Sequence, residues 1–177
     1  MFRKNRDALR LSLELLARVK AFRHRVDLLY NRLLDRRQTL MDKLTQLEAK
    51  GEKYLSKIYA NEIANLDKLI SHMSLLIFVL EKVETSIQYA ITLRDFRSLA
   101  GELSKVMGDI AKMPEIKAVP DLNLYLIDIE SLLREMSSAE VPSFMSTPVE
   151  TSGSDAKKIL EEAREILRKK IETELST

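Results

Sequence analysis

The chain has 177 residues, 45% of them apolar and 32% charged, with only 4 Gly, 4 Pro and no Trp. That balance suits one domain of long helices with a tail, and it excludes a sandwich or barrel, which needs many more turns. Cysteine is absent, which removes disulfide frameworks and thiolate metal sites, and the net charge of +2 hides an uneven distribution.

Residues 1–57 hold 15 Lys and Arg against 7 Asp and Glu, a net of +8. Residues 58–113 hold 6 against 7, residues 114–153 hold 2 against 7, and residues 154–177 hold 6 of each. A basic N-terminal arm thus shares the chain with an acidic segment of net −5. This pattern reads as two solvated helix faces, or as a basic surface for an anionic partner that the acidic segment partly masks.

The first predicted helix runs from about Asp7 to Lys50. Val19, Val26, Leu33, Leu40 and Leu47 recur at every seventh position, and Leu15, Phe22 and Leu29 fill the complementary one. Such a seam keeps one face toward a partner helix. At the usual rise per residue this helix would be on the order of 65 Å long. The complementary position turns basic at Arg36, Lys43 and Lys50, so the seam loosens toward its far end. Gly51 lies between two periodic segments, where it can cap one helix and let the chain reverse. The tip of an antiparallel hairpin over roughly 8–110 is placed there.

In the second helix Ile63, Ile70, Ile77 and Ile91 share one position, with Glu84 as the exception, and Leu66, Met73, Leu80 and Ile87 share the next. Leu69, Leu76 and Val83 form a third row, wider than two helices need. This surplus predicts contact with the C-terminal helices of the same chain or with another subunit. Gly101 and Gly108 each weaken a helix by about 1 kcal/mol relative to Ala, which predicts a soft joint before Pro114. The apolar run Leu75–Leu80 is far shorter than the roughly 20 residues a spanning helix needs, and no signal-peptide core follows the basic start, so a soluble cytoplasmic protein is expected.

A short acidic helix follows at about Asp121–Met136, with Leu126, Ile129 and Leu133 on its apolar face. Residues 137–154 are rich in Ser, Thr and Pro and read as a linker. A charged helix over about Asp155–Leu175 ends the chain, with Leu160 and Leu167 in a narrow apolar stripe. The predicted organisation is therefore all-α: 1–113 a basic segment and long hairpin, 114–136 the acidic helix, 137–154 the linker and 155–177 the terminal helix.

The order of these parts resembles the ESCRT-III family. Gly51-Glu52 followed by Tyr59-Ala60-Asn61-Glu62-Ile63 is similar to the start of helix two in archaeal Cdv B-type cell-division proteins. Met113-Pro114-Glu115-Ile116 is similar to the approach to that family's fourth helix. The resemblance covers roughly residues 8–136, and the winged-helix extension of some members is missing, so the chain looks like the shorter paralogues. It implies no catalysis and no cofactor. It implies filaments of this chain and its paralogues on anionic membrane at the division site, peripheral to the inner face of the cell membrane. It further implies remodelling by an AAA ATPase with an MIT domain.

Membrane contact is expected from Met1, Phe2, Arg3, Lys4, Arg6 and Arg10 at the N-terminus and from Arg18, Arg25 and Arg32, which share one helix position. Each cation near an anionic leaflet contributes about 1 kcal/mol. The competing reading is snorkelling and intramolecular ion pairs. The polymer interface is assigned to Leu69, Leu76, Val83, Leu126, Ile129 and Leu133, against the alternative that these rows pack within one chain. Leu160, Leu167 and Arg168 resemble the spacing of the helical MIT-interacting motif, but Arg164 and Ala163 depart from it. An extended proline-bearing motif fits Val141–Pro148 only loosely, and a linker with an autoinhibitory helix stands beside both. His24 and His72 fall about two turns apart on opposite arms, too far for joint ligation of a metal. No nucleotide loop or nucleophile motif occurs, and interleaved aromatics for nucleic acid are lacking. The competing function is a coiled-coil scaffold or adaptor without a membrane role.

Overall fold

The computed structural model describes residues 2–139 and 153–175, and their side chains except those at 2, 139, 153, 154, 174 and 175. They form helices α1 (Phe2–Ala49), α2 (Lys53–Leu93), α3 (Leu99–Ala111), α4 (Pro114–Ala118), α5 (Pro120–Ala139) and α6 (Gly153–Leu175), with no strand among the described residues. The all-α class is as expected, and the two long helices pack together. The chain divides into two compact units, one of residues 24–77 and one of residues 1–23 with 78–177.

The 24–77 unit is a two-helix hairpin. Gly51 sits at φ 73°, a left-handed conformation that glycine adopts without strain. The Glu52 amide donates to the Leu47 carbonyl at 3.0 Å and the Gly51 amide to Glu48 at 3.1 Å, which closes the end of α1 in a Schellman motif. Leu40, Ile63 and Leu66 form the buried cluster, with Leu33, Met41, Leu44, Tyr59 and Ile70 half-buried around it. Arg36 pairs with Glu62 at 2.7 Å and Arg37 with Asp67, tying the arms together on the outside. The hydrogen bond from Asp67 holds the Arg37 guanidinium above its ordinary pKa.

The other unit is thicker. From α1 it buries Leu11, Leu15, Val19 and Phe22, and from α2 Val79, Leu80, Val83 and Ile87. Helix α3 packs against both α5 and α6, and α4 packs against α5. Phe22 stacks on Tyr125 with ring centroids 5.9 Å apart. Glu84, the exception in its heptad row, is buried and accepts from Arg23 Nε at 2.6 Å.

The joint after the second helix lies elsewhere than the glycines suggested. Helix α2 ends at Leu93, and the chain turns over Arg94–Ser98, where Arg94 and Ser98 both have positive φ, 54° and 57°. Asp95 donates to the Ala90 carbonyl at 3.0 Å and Arg94 to Ile91 at 3.2 Å, a second Schellman motif built without glycine. Gly101 and Gly108 lie inside α3 instead. The predicted linker is shorter at both ends, since residues 137–139 continue α5 and Gly153 already belongs to α6; positions 140–152, with Val141–Pro148, lie outside the described residues.

By length and composition alone, α2 is long and apolar enough to cross a bilayer. A core helix passes the same test, and Leu76, Val79, Leu80 and Val83 are each 0% exposed.

Candidate functional site

The candidate sites are surfaces rather than a cleft. Among the described residues no group of His, Asp and Glu is placed to hold a metal ion.

The N-terminal turns of α1 carry Arg3, Lys4, Arg6 and Arg10, all exposed, and no acidic residue stands in the first turn. Cations there oppose the helix dipole, so folding alone gives no reason for them. Arg10 has only a loose pair with Glu14 at 3.7 Å. Met1 and the side chain of Phe2 lie outside the described residues.

The arginine row along α1 is not a uniform basic surface. Arg18 is held by Glu14 at 2.7 Å and by Asp128 of α5, whose carboxylate and carbonyl accept at 3.2 and 3.1 Å. In this arrangement the acidic α5 takes this cation within the chain, as the competing reading of ion pairs expects. Arg25 is half-buried and engaged, while Arg32 is exposed in the 24–77 hairpin.

The expected polymer surface is also occupied. Leu76 and Val83 are fully buried and Leu69 half-buried, while Leu126, Ile129 and Leu133 are 2%, 1% and 1% exposed. In this arrangement Leu76, Val83, Leu126, Ile129 and Leu133 are buried within one chain, and α5 packs on α3 and α4 of its own unit.

Helix α6 is docked in the same way. Leu160 and Leu167 are 1% and 0% exposed, so neither is available to a docking protein, and only Arg168 faces solvent. Arg164 Nε donates to Asp109 of α3 at 2.7 Å, with side chains 20% and 11% exposed. The hydrogen bond to Asp109 raises the Arg164 pKa, against a lowering by burial. The Ser86 hydroxyl donates to the Ala156 carbonyl and the Tyr89 hydroxyl to the Asp155 carboxylate, each at 3.3 Å, holding the start of α6. Arg164 is one of the two departures from the MIT-interacting spacing, and its contact with Asp109 gives that departure a structural reason.

Two features escaped the sequence reading. One is the Arg23–Glu84 pair, which the broken heptad row at Glu84 signals. The other is the exposed apolar group Tyr54, Leu55 and Ile58 beside Gly51. Its signal is the start of α2, where Tyr54, Leu55 and Ile58 fall outside the row that Tyr59, Ile63 and Leu66 continue.

No protein-family model matches the chain, and no solved structure matches it.

Proposed function

We propose that the chain is an ESCRT-III-like protein of the archaeal Cdv B type that polymerises on anionic membrane and remodels or constricts it in cell division. The observation that carries this reading is the start of α1: Arg3, Lys4, Arg6 and Arg10 are exposed, in a place where the helix dipole disfavours cations. The resemblance around Gly51 and Tyr59–Ile63, together with the pairing of two long helices, supports the family assignment. In this reading the described arrangement is a closed monomer. Its acidic α5 holds Arg18, and its α6 covers α3. Assembly into homopolymers or with paralogues then requires α5 to leave Arg18 and Phe22 of α1, and an MIT-domain ATPase would gain Leu160 and Leu167 only after α6 is released.

The test is sedimentation and electron microscopy with anionic vesicles. Wild-type protein is expected to pellet with the vesicles and to coat or tubulate them, and R3E/K4E/R6E to stay in the supernatant while remaining helical. A folded triple variant that pellets like wild type removes the N-terminal contact. Bare vesicles and dispersed particles with the wild type favour a scaffold or adaptor without a membrane role.

A further inference from the structure

The tip of the 24–77 hairpin carries a surface that the N-terminal contact does not use. Tyr54 is 78% exposed, the highest value for a large apolar side chain among the described residues, and Leu55 and Ile58 are 40% and 44% exposed. On a helix these three positions fall within about 100° of one another and form a single patch. Exposed Lys50, Lys53 and Lys57 surround it, and none of them makes an ion pair among the described residues. Farther along the same arms Arg36 and Arg37 are paired, with Glu62 and Asp67. Arg32, Lys43 and Lys68 are exposed elsewhere on the hairpin and Glu48 and Glu52 are exposed beside Gly51, so what marks the tip is the conjunction of its three lysines with the exposed apolar patch. The patch is not core spilling outward, since α2 turns inward at Ser56, Tyr59 and Ile63.

We infer that this tip is a second membrane contact, a shallow wedge for an anionic bilayer surface. Leu55 and Ile58 enter the boundary between headgroups and acyl chains. The Tyr54 ring lies at the same depth with its hydroxyl among the headgroups, the placement that aromatic side chains with a polar end favour. The three lysines reach phosphate level on their flexible stems. A second copy of the chain is the competing occupant, through Leu124 and Ile127 on the outer face of α5, which are 64% and 48% exposed beside Asp121 and Asp128. That face is the poorer complement, because Asp128 already accepts Arg18 and Asp121 is engaged as well. The inference rests on the membrane reading above, but the two are separable.

The chain has no tryptophan, so Tyr54→Trp in the full-length protein creates a single tryptophan, excited selectively on the red side of the tyrosine band, at an exposed position. Vesicles of phosphatidylcholine with phosphatidylglycerol are compared with phosphatidylcholine alone, with and without bromine on the acyl chains. A blue shift and quenching by bromolipid in the anionic vesicles only are expected, and K53Q/K57Q should weaken binding roughly thirtyfold, the loss of two near-surface lysines. Phe2→Trp reports the N-terminus in parallel, and Ile58→Trp replaces the tip probe if Tyr54→Trp misfolds. Quenching of Phe2→Trp with an unchanged tip probe overturns the tip contact and leaves the membrane reading intact. A blue shift that follows protein concentration without vesicles, and that bromolipid does not quench, assigns the patch to a second copy and also overturns it. Failure of both variants and the wild type to bind anionic vesicles overturns both readings.

Discussion

Residues 24–77 and the unit of residues 1–23 with 78–177 are built from the same two heptad-patterned helices, yet they bury their seams to different depths. In the larger unit Val19, Phe22, Leu80 and Ile87 are all 0% exposed. In the hairpin Leu33, Leu47 and Ile70 at equivalent rows remain half-buried, and Leu40 and Ile63 keep 7% and 6%. The pattern itself changes toward the tip, where the row of Leu15, Phe22 and Leu29 turns basic at Arg36, Lys43 and Lys50. Toward the tip two helices alone seal only a narrow seam, while at the other end of the hairpin Val26, Met73 and Leu76 are 0%, 2% and 0% exposed. The polar pairs follow the same division. Glu84 in the larger unit is 9% exposed at its side chain, whereas Arg37 and Asp67 in the hairpin are 37% and 48% exposed.

The largest expected contrast lies in those two pairs. Removing Arg23 leaves the Glu84 carboxylate buried, and its Oε1 already lacks a hydrogen-bond partner among the described residues. Arg23→Ala is expected to destabilise by about 3–5 kcal/mol, while R23M/E84L recovers most of the loss, since a well-packed apolar pair often equals a buried ion pair. Arg37→Ala in the hairpin should stay within about 1 kcal/mol, as exposed pairs do. Urea unfolding followed by circular dichroism decides between them. Equal losses for Arg23→Ala and Arg37→Ala would erase the distinction between the two regions.

How far each region was legible in the sequence follows the same physics. Heptad rows report which face is apolar, so the long helices, their pairing and the reversal at Gly51 could be read directly. Periodicity does not report what covers a face. Leu76, Val83, Leu126 and Ile129 could be seen as surplus, but not as satisfied within the chain. The joint is the exception, because Gly101 and Gly108, which point to a soft joint, lie inside α3. The chain in fact turns at Arg94, an ordinary residue held in the left-handed region by two backbone hydrogen bonds that no composition rule signals. Arg18 is a related case: spacing places it in a basic row, but only the tertiary position of Asp128 shows that it is engaged.

A middle-sized effect concerns how tightly the larger unit is closed. Helix α6 is held by Leu160, Ala163 and Leu167, by the Arg164–Asp109 pair and by two weaker hydrogen bonds at its start. Arg164→Ala leaves Asp109 with a lost charged hydrogen bond, which costs roughly 2 kcal/mol. Because α6 docks through a narrow stripe, that cost should appear as local opening rather than global unfolding. Hydrogen exchange is expected to quicken over 155–173 and over α3, with little change in 24–77. Uniform acceleration in both units would mean that α6 does not open on its own.

The smallest effect has opposite signs in the two regions. In the hairpin Gly51 is required by its φ of 73°, although a Cβ there would meet nothing within 4 Å. Gly51→Ala therefore introduces backbone strain of about 1–2 kcal/mol with no steric clash to blame. In the larger unit Gly108 lies inside α3 with ordinary helical geometry, and a Cβ would again find open space. Gly108→Ala should then stabilise by about 1 kcal/mol, the helix-propensity difference alone. Thermal unfolding of the two variants separates the roles of the two glycines. A loss at Gly108 would mean that α3 depends on its flexibility at that position.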